Sequence, residues 1–137
     1  MDGFRAAAYA KLNGDATLTA MLATTTSIYH RRAPQGSALP CVIFNKQSGM
    51  SVWSFAGAPF VEQTWVFRGV DRADSATKAE DIDKRIGIIF TDPVMTLTDG
   101  TLLYMRRESD VDYAEEGDPD FIIHHVGGLY RTIIDRT

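Results

Sequence analysis

The sequence predicts an α+β fold: a mixed or antiparallel sheet with one long amphipathic helix packed on one face and a short helical pair at the N-terminus. Three observations predict it. Residues 77–90 carry the only long helical periodicity, with Ala79, Ile82, Ile86, Ile89 and Phe90 recurring at spacings of three and four and Lys78, Glu80, Asp81, Asp83, Lys84 and Arg85 between them. The segments to either side, FVEQTWVFRGV at 60–70 and a stretch from Thr101 to about Tyr113, read as strands. Residues 2–12 place Phe4, Ala7, Ala8 and Leu12 on one side of a further helix, closed at Gly14. A helix with a single apolar stripe needs an apolar surface to cover it, and because the remaining segments are mostly strand-like the simplest arrangement lays it across one face of a sheet.

The remaining elements follow in order. Asp15 is placed to cap a second short helix that turns Leu18, Met21 and Leu22 inward, and the hydroxylated run Thr24 to Ser27 ends it. A short strand starts at Ile28. Pro34, Gly36 and Pro40 mark a loop, after which Cys41 to Phe44 is an apolar run suited to burial on both faces. Residues 47–59, QSGMSVWSFAGAP, read as a loop that carries Met50, Val52, Trp53 and Phe55. DRADSA connects the 60–70 strand to the helix, and turns at Asp92-Pro93 and Asp99-Gly100 bracket VMTLT. Period-two reading of the next strand puts Leu103, Met105, Val111 and Tyr113 on one face and Arg106, Glu108, Asp110 and Asp112 on the other. Glu116 to Asp120 reads as a loop, and Phe121 to Ile134 as a final strand bulged or bent at Gly127-Gly128.

A chain of 137 residues suits one domain spanning 1–137, large enough for a core without metal or disulfide. Its net charge of -4 disfavours general binding to nucleic acid or anionic membrane. The lone Cys41 has no internal partner. No apolar run approaches the roughly 18–20 residues that span a bilayer, and MDGFRAAAYAKL has no signal-like apolar core, so assembly in the cytoplasm is expected.

Each reactive group has a plain structural reading. The acids Glu108, Asp110, Asp112, Glu115, Glu116, Asp118 and Asp120 form a run without lysine or arginine. Such a row can hold a hard cation, but it lacks the calcium-loop pattern, and an acidic solvent-facing or pore-facing surface is the expected reading. His124 and His125 point to opposite faces of a strand and cannot chelate one ion together. Cys41 reads as a small buried hydrophobe rather than a nucleophile. Phosphate loops, dinucleotide glycines, nucleophile elbows and paired zinc cysteines are missing. The sequence thus suggests no enzyme, no cofactor and no metal. Arg31 and Arg32 either meet acids on a neighbouring subunit or sit solvated at a loop mouth. Met50, Trp53 and Phe55 are residue types enriched in interface cores, and they suggest contact with another subunit or partner; the alternative is a loop folded back on its own domain.

Several of these segments resemble the tail terminator, or tail completion, proteins of long-tailed bacteriophages and gene transfer agents. The N-terminal helical pair ends in DATLTAML; SIYHRRAPQGSALPCVIF follows, with an Ile-Tyr, Ala-Pro-Gln-Gly and Leu-Pro series before an apolar strand. A strand with Trp65, the helix with Ala79 and Ile82, and a last strand in which His125 precedes Tyr130 and Arg131 complete the likeness. Where that family has an aromatic after the proline, this chain has Cys41. The resemblance implies a virion protein that forms a homohexameric ring on the head-proximal end of the tail tube and ends its growth. It also implies contact with the tube protein and with head-tail connector proteins. DNA would only pass through the lumen, which the acids Glu108, Asp110 and Asp112 would not hinder. The alternatives are another neck or head-closure component, or a small ligand-binding or enzymatic domain.

Overall fold

The computed structural model describes residues 3–54, 57–73, 75–118 and 121–136, with backbone alone at 53–54, 57–59, 117–118 and 121. Helices α1 (Gly3–Asn13) and α2 (Ala16–Met21) precede β1 (Ile28–His30), β2 (Cys41–Ser54), β3 (Gly57–Ala73), α3 (Thr77–Ile89), β4 (Thr101–Asp118) and β5 (Phe121–Asp135). The strands form one mixed sheet in the order β1-β2-β3-β5-β4, parallel between β1 and β2 and antiparallel elsewhere. This is the α+β class that the periodicities predict.

The helices cover one face, here the front. Ile82, Ile86 and Phe90 from α3 and its end, with Phe4, Leu12 and Leu18 from the N-terminal pair, pack on Val42, Phe44, Trp65, Phe67, Tyr130 and Ile134. Burying each large side chain of this kind contributes about 1.5–3 kcal/mol. Phe67 sits at the centre, stacked on Phe44 at 5.4 Å and met by Phe90 at 4.6 Å and Tyr130 at 5.5 Å. Helix α3 approaches β3 closely over Gly69, where a Cβ would lie 2.8 Å from the Ala79 carbonyl oxygen. On the back face Cys41, Ile43 and Val70 form a smaller cluster under Tyr29, Ala33, Leu39 and Ile123. Burial pushes the Cys41 thiol up to about 12, so it stays protonated.

Asp15 does cap α2, its Oδ1 accepting from the Leu18 N–H at 2.8 Å, and it also ties that helix to α3. Arg85 grips it from α3 through Nε (3.0 Å) and Nη2 (2.8 Å). The Arg85 hydrogen bond holds the Asp15 carboxyl below its usual 3.8. A carboxyl lowered on folding adds stability above its unfolded value and loses it as pH falls through the folded one. Asp15→Asn, which can still cap, should therefore flatten the stability loss seen in acid below about pH 4, whereas Asp15→Ala should cost about 1 kcal/mol near neutrality through the lost cap. Urea midpoints across pH 2–7 would check both, and a variant curve parallel to the parent's throughout would exclude the ion pair as the cause.

The strands are longer than their local signals imply. Residues 47–54 are not a loop but the outer half of β2, paired with β3 from Cys41↔Val70 to Ser54↔Gly57 with irregularities at Lys46/Ser48 and Val52/Ser54. Glycine and serine suggest a turn locally, but β3 supplies a hydrogen-bonding partner along the whole length, and pairing decides. Likewise β3 runs on through Asp71 to Ala73, and β4 continues through Glu116 to Asp118, leaving only 119–120 of the predicted loop, outside the described residues.

The bulge predicted in β5 is not there. Pairing of β5 with β3 is unbroken from Phe60↔Asp135 to Ala73↔Ile122, and the irregularities lie on β4, at Leu103, at Glu108 and between Glu115 and Asp118. Gly127 and Gly128 instead give room: a Cβ on Gly127 would collide with the Phe67 carbonyl oxygen, and one on Gly128 would stand 2.7 Å from the Arg107 guanidinium carbon. Each extra residue in β4 shifts the side-chain alternation by one. Met105, Arg107, Asp110 and Asp112 therefore share the front face through their partners Thr132, Tyr130, Gly128 and Val126, while Arg106, Val111 and Tyr113 face the back. The simple period-two division of this strand fails for that reason, and Leu103, expected beside Met105, is exposed.

Candidate functional site

The features that the described residues offer are surfaces. Among the described residues no three His, Cys, Asp or Glu side chains stand close enough to hold an ion. No helix there is long and apolar enough to cross a membrane. His125 is buried on the back face, stacked on the Tyr113 ring at 4.4 Å, and its Nε2 meets the Glu115 carboxylate while Nδ1 has no partner. Burial pulls its pKa below 6.5, against the pull of Glu115. His124 faces the other way, with Nε2 3.1 Å from the Ala73 carbonyl oxygen. The two rings thus lie on opposite faces, as a strand requires.

The β2–β3 hairpin carries two of the exposed apolar side chains; others, among them Ile88, Val94 and Leu103, lie on α3, after it and on β4. Met50 is 61% exposed and Val52 40%, paired with Glu62 and Phe60. They sit on the back face, where the small cluster under Ala33 and Leu39 does not reach, so they are left uncovered among the described residues. The Trp53 side chain and all of Phe55 lie outside the described residues.

Arg31 and Arg32 mark the point where β1 leaves the sheet. Arg31 takes a left-handed backbone (φ 71°) while its N–H donates to the Phe44 carbonyl at 2.8 Å, and the Arg32 N–H donates to His30 at 2.9 Å. The chain thereby turns off β2 after three paired residues. Both arginines are exposed and neither has an ion pair among the described residues. Met50 lies six residues further along β2, about 20 Å away at strand rise, so the arginines and the hairpin are separate surfaces.

The three acids do not form one row. Asp110 is held on the front face by Arg107, at 2.9 Å. Glu108, at the bulge, stands 3.6 Å from Arg131, which pairs more tightly with Glu62 at 2.6 Å. Asp112 is exposed. The run looked unpaired because its cations come from just before it and from the neighbouring strand.

Sequence reading missed the polar node behind this edge. Asp83, only 9% exposed, accepts from Arg107 Nη1 at 2.7 Å and Nη2 at 3.0 Å, and the same guanidinium reaches the Gly127 carbonyl at 2.9 Å. It links α3, β4 and β5. The only signal was an acid next to the apolar stripe of α3.

No protein-family model matches the chain, and no curated protein does. Ten chains of solved structures match. One of them comes from the virion of a native gene transfer agent particle, with a TM-score of 0.81 and 18% identity, covering 97% of this chain and 95% of that one. This chain shares the fold of a virion protein. At that identity the common property is the fold: the element order that places α3 and the N-terminal pair on one face of the sheet.

Proposed function

We propose that the chain is a structural virion protein and, within that class, a tail terminator: a ring that caps the head-proximal end of a tail tube, ends its polymerisation and offers a surface to the head connector. The observation that carries this reading is the fold shared with a gene transfer agent virion chain over nearly the full length of both. The terminator role itself rests on the resemblance of SIYHRRAPQGSALPCVIF and the last strand. A tube end is a ring of unsatisfied subunit surfaces, and its cap must match that surface on one side without repeating it on the other. Interfaces serve that task, and the exposed Met50, Val52, Arg31 and Arg32 are available to form them. The partners are further copies, six in a ring, the tube protein and the connector; DNA passes through the lumen.

The test is incubation of the purified protein with tail tubes, followed by electron microscopy. Particles seated on one tube end and arrested tube growth are expected. Binding to the connector alone would move the protein to another position in the neck, and indifference to both would remove it from the tail.

Met50 and Val52 are the proposed contact of the hairpin with tube or neighbour. Replacing both by serine should leave stability within about 0.5 kcal/mol, as for exposed positions generally, yet reduce tube-end occupancy. A variant that binds as the parent does would assign the hairpin no such role.

A further inference from the structure

Opposite charges collect at the two borders of the sheet. From residue 3 to residue 61 the chain carries Arg5, Lys11, Arg31, Arg32 and Lys46 against the single acid Asp15, whereas 108–118 carries six acids and no lysine or arginine. Arg5 and Lys11 lie on α1, while strand order puts Arg31, Arg32 and Lys46 at the β1–β2 border and 108–118 at the β4 border. The two are also level: His30 pairs with Phe44, Phe44 with Phe67, Phe67 with Gly128 and Gly128 with Asp110. Arg31 and Arg32, directly after His30, therefore stand at the height of Glu108 to Asp112.

Both borders also present unpaired backbone. β1 covers β2 only from Val42 to Phe44, so among the described residues 45–54 has β3 on one side and no strand on the other. β4, 18 residues long, pairs with β5 alone. A free strand edge is a template for strand addition. Like charge on β4 opposes pairing with a second β4, and a basic border at the same level complements it. Two different complementary surfaces on one chain make a head-to-tail contact, which closes into a ring when the rotation between copies allows.

We infer that the β4 border of one copy docks against the β1–β2 border of the next, with Glu108, Asp112 and Glu116 facing Arg31 and Arg32. This rests on the ring reading above and deepens it by naming the two surfaces. The acids of β4 then meet a neighbouring subunit rather than the lumen.

Two charge-reversed chains test it: Arg31→Glu with Arg32→Glu, and Glu108→Lys with Asp112→Lys. Asp110 is kept because it holds Arg107. Light scattering over a concentration series at low salt should show the parent assembling, and each variant alone needing at least about tenfold more protein, since like charges now face each other. An equimolar mixture should regain assembly with the two chains in equal number, because every reversed border then meets a complementary one. Thermal melts establish that each variant is folded; if the first acidic variant is not, Asp112→Lys with Glu116→Lys replaces it. Variants that assemble like the parent, or a mixture that does not recover, overturn the contact and leave the ring standing on other surfaces. A parent that stays monomeric at every concentration and forms no ring on tube ends overturns both.

Discussion

Arg107→Ala is expected to lower stability by about 3 kcal/mol, a fall in Tm of about 10 °C for a chain this size. The guanidinium makes two bonds to Asp83, two to Asp110 at 2.9 and 3.2 Å, one to the Gly127 carbonyl and a longer one of 3.5 Å to the Tyr130 hydroxyl. These contacts raise its pKa further above the ordinary arginine value, Asp83 first among them. Removing it leaves Asp83, on the buried side of α3, as a nearly buried carboxylate without its cation. Breaking a buried pair costs about 3–5 kcal/mol, and the lower end applies because the Arg107 side chain is 29% exposed and water can reach in. The double change Arg107→Met with Asp83→Leu should recover most of the loss, since no charge is then stranded. Urea unfolding of parent, single and double variants decides the point. A double variant as unstable as the single would assign the effect to lost packing of the arginine stem instead.

Gly127→Ala is expected to cost about 3 kcal/mol or to prevent folding, at the upper end for overfilling a packed site. The added methyl would collide with the Phe67 carbonyl oxygen and stand 2.6 Å from the Arg68 Cα. Both are backbone atoms of β3, which is held between β2 and β5 and cannot swing aside. Gly87→Ala is the control: its Cβ meets only the Tyr130 hydroxyl, at 3.8 Å, and lies inside α3. There alanine should stabilise by up to about 1 kcal/mol. Thermal melts that ranked the two variants together would show that the β3–β5 spacing adapts and that Gly127 is not needed for close approach.

Much of the fold was legible because it depends on short-range patterns. The stripe of Ile82, Ile86 and Phe90, the Asp15 cap and the buried run Cys41 to Phe44 each follow from neighbours within a few residues. Strand length was not legible in the same way. Ser48 and Gly49 signal a turn in isolation, and Glu116 to Asp120 a loop, whereas β3 and β5 extend both as paired strands.

The candidate surfaces divide along the same line. Met50 and Val52 were visible as apolar residues in a polar stretch, and Arg31, Arg32 and the acids of 108–118 were visible as charge. The sequence by itself determined the class of fold, the apolar face of α3 and the segregation of basic and acidic residues into different parts of the chain, because composition and period are local properties. Only the tertiary structure decided that one extra residue at Glu108 moves Asp110 to the front face. It alone decided that Asp83 is buried against Arg107 and that the basic and acidic segments stand level on opposite borders of one sheet. Those outcomes depend on which strands pair and in what register, and pairings as distant in sequence as Phe60 with Asp135 set that register.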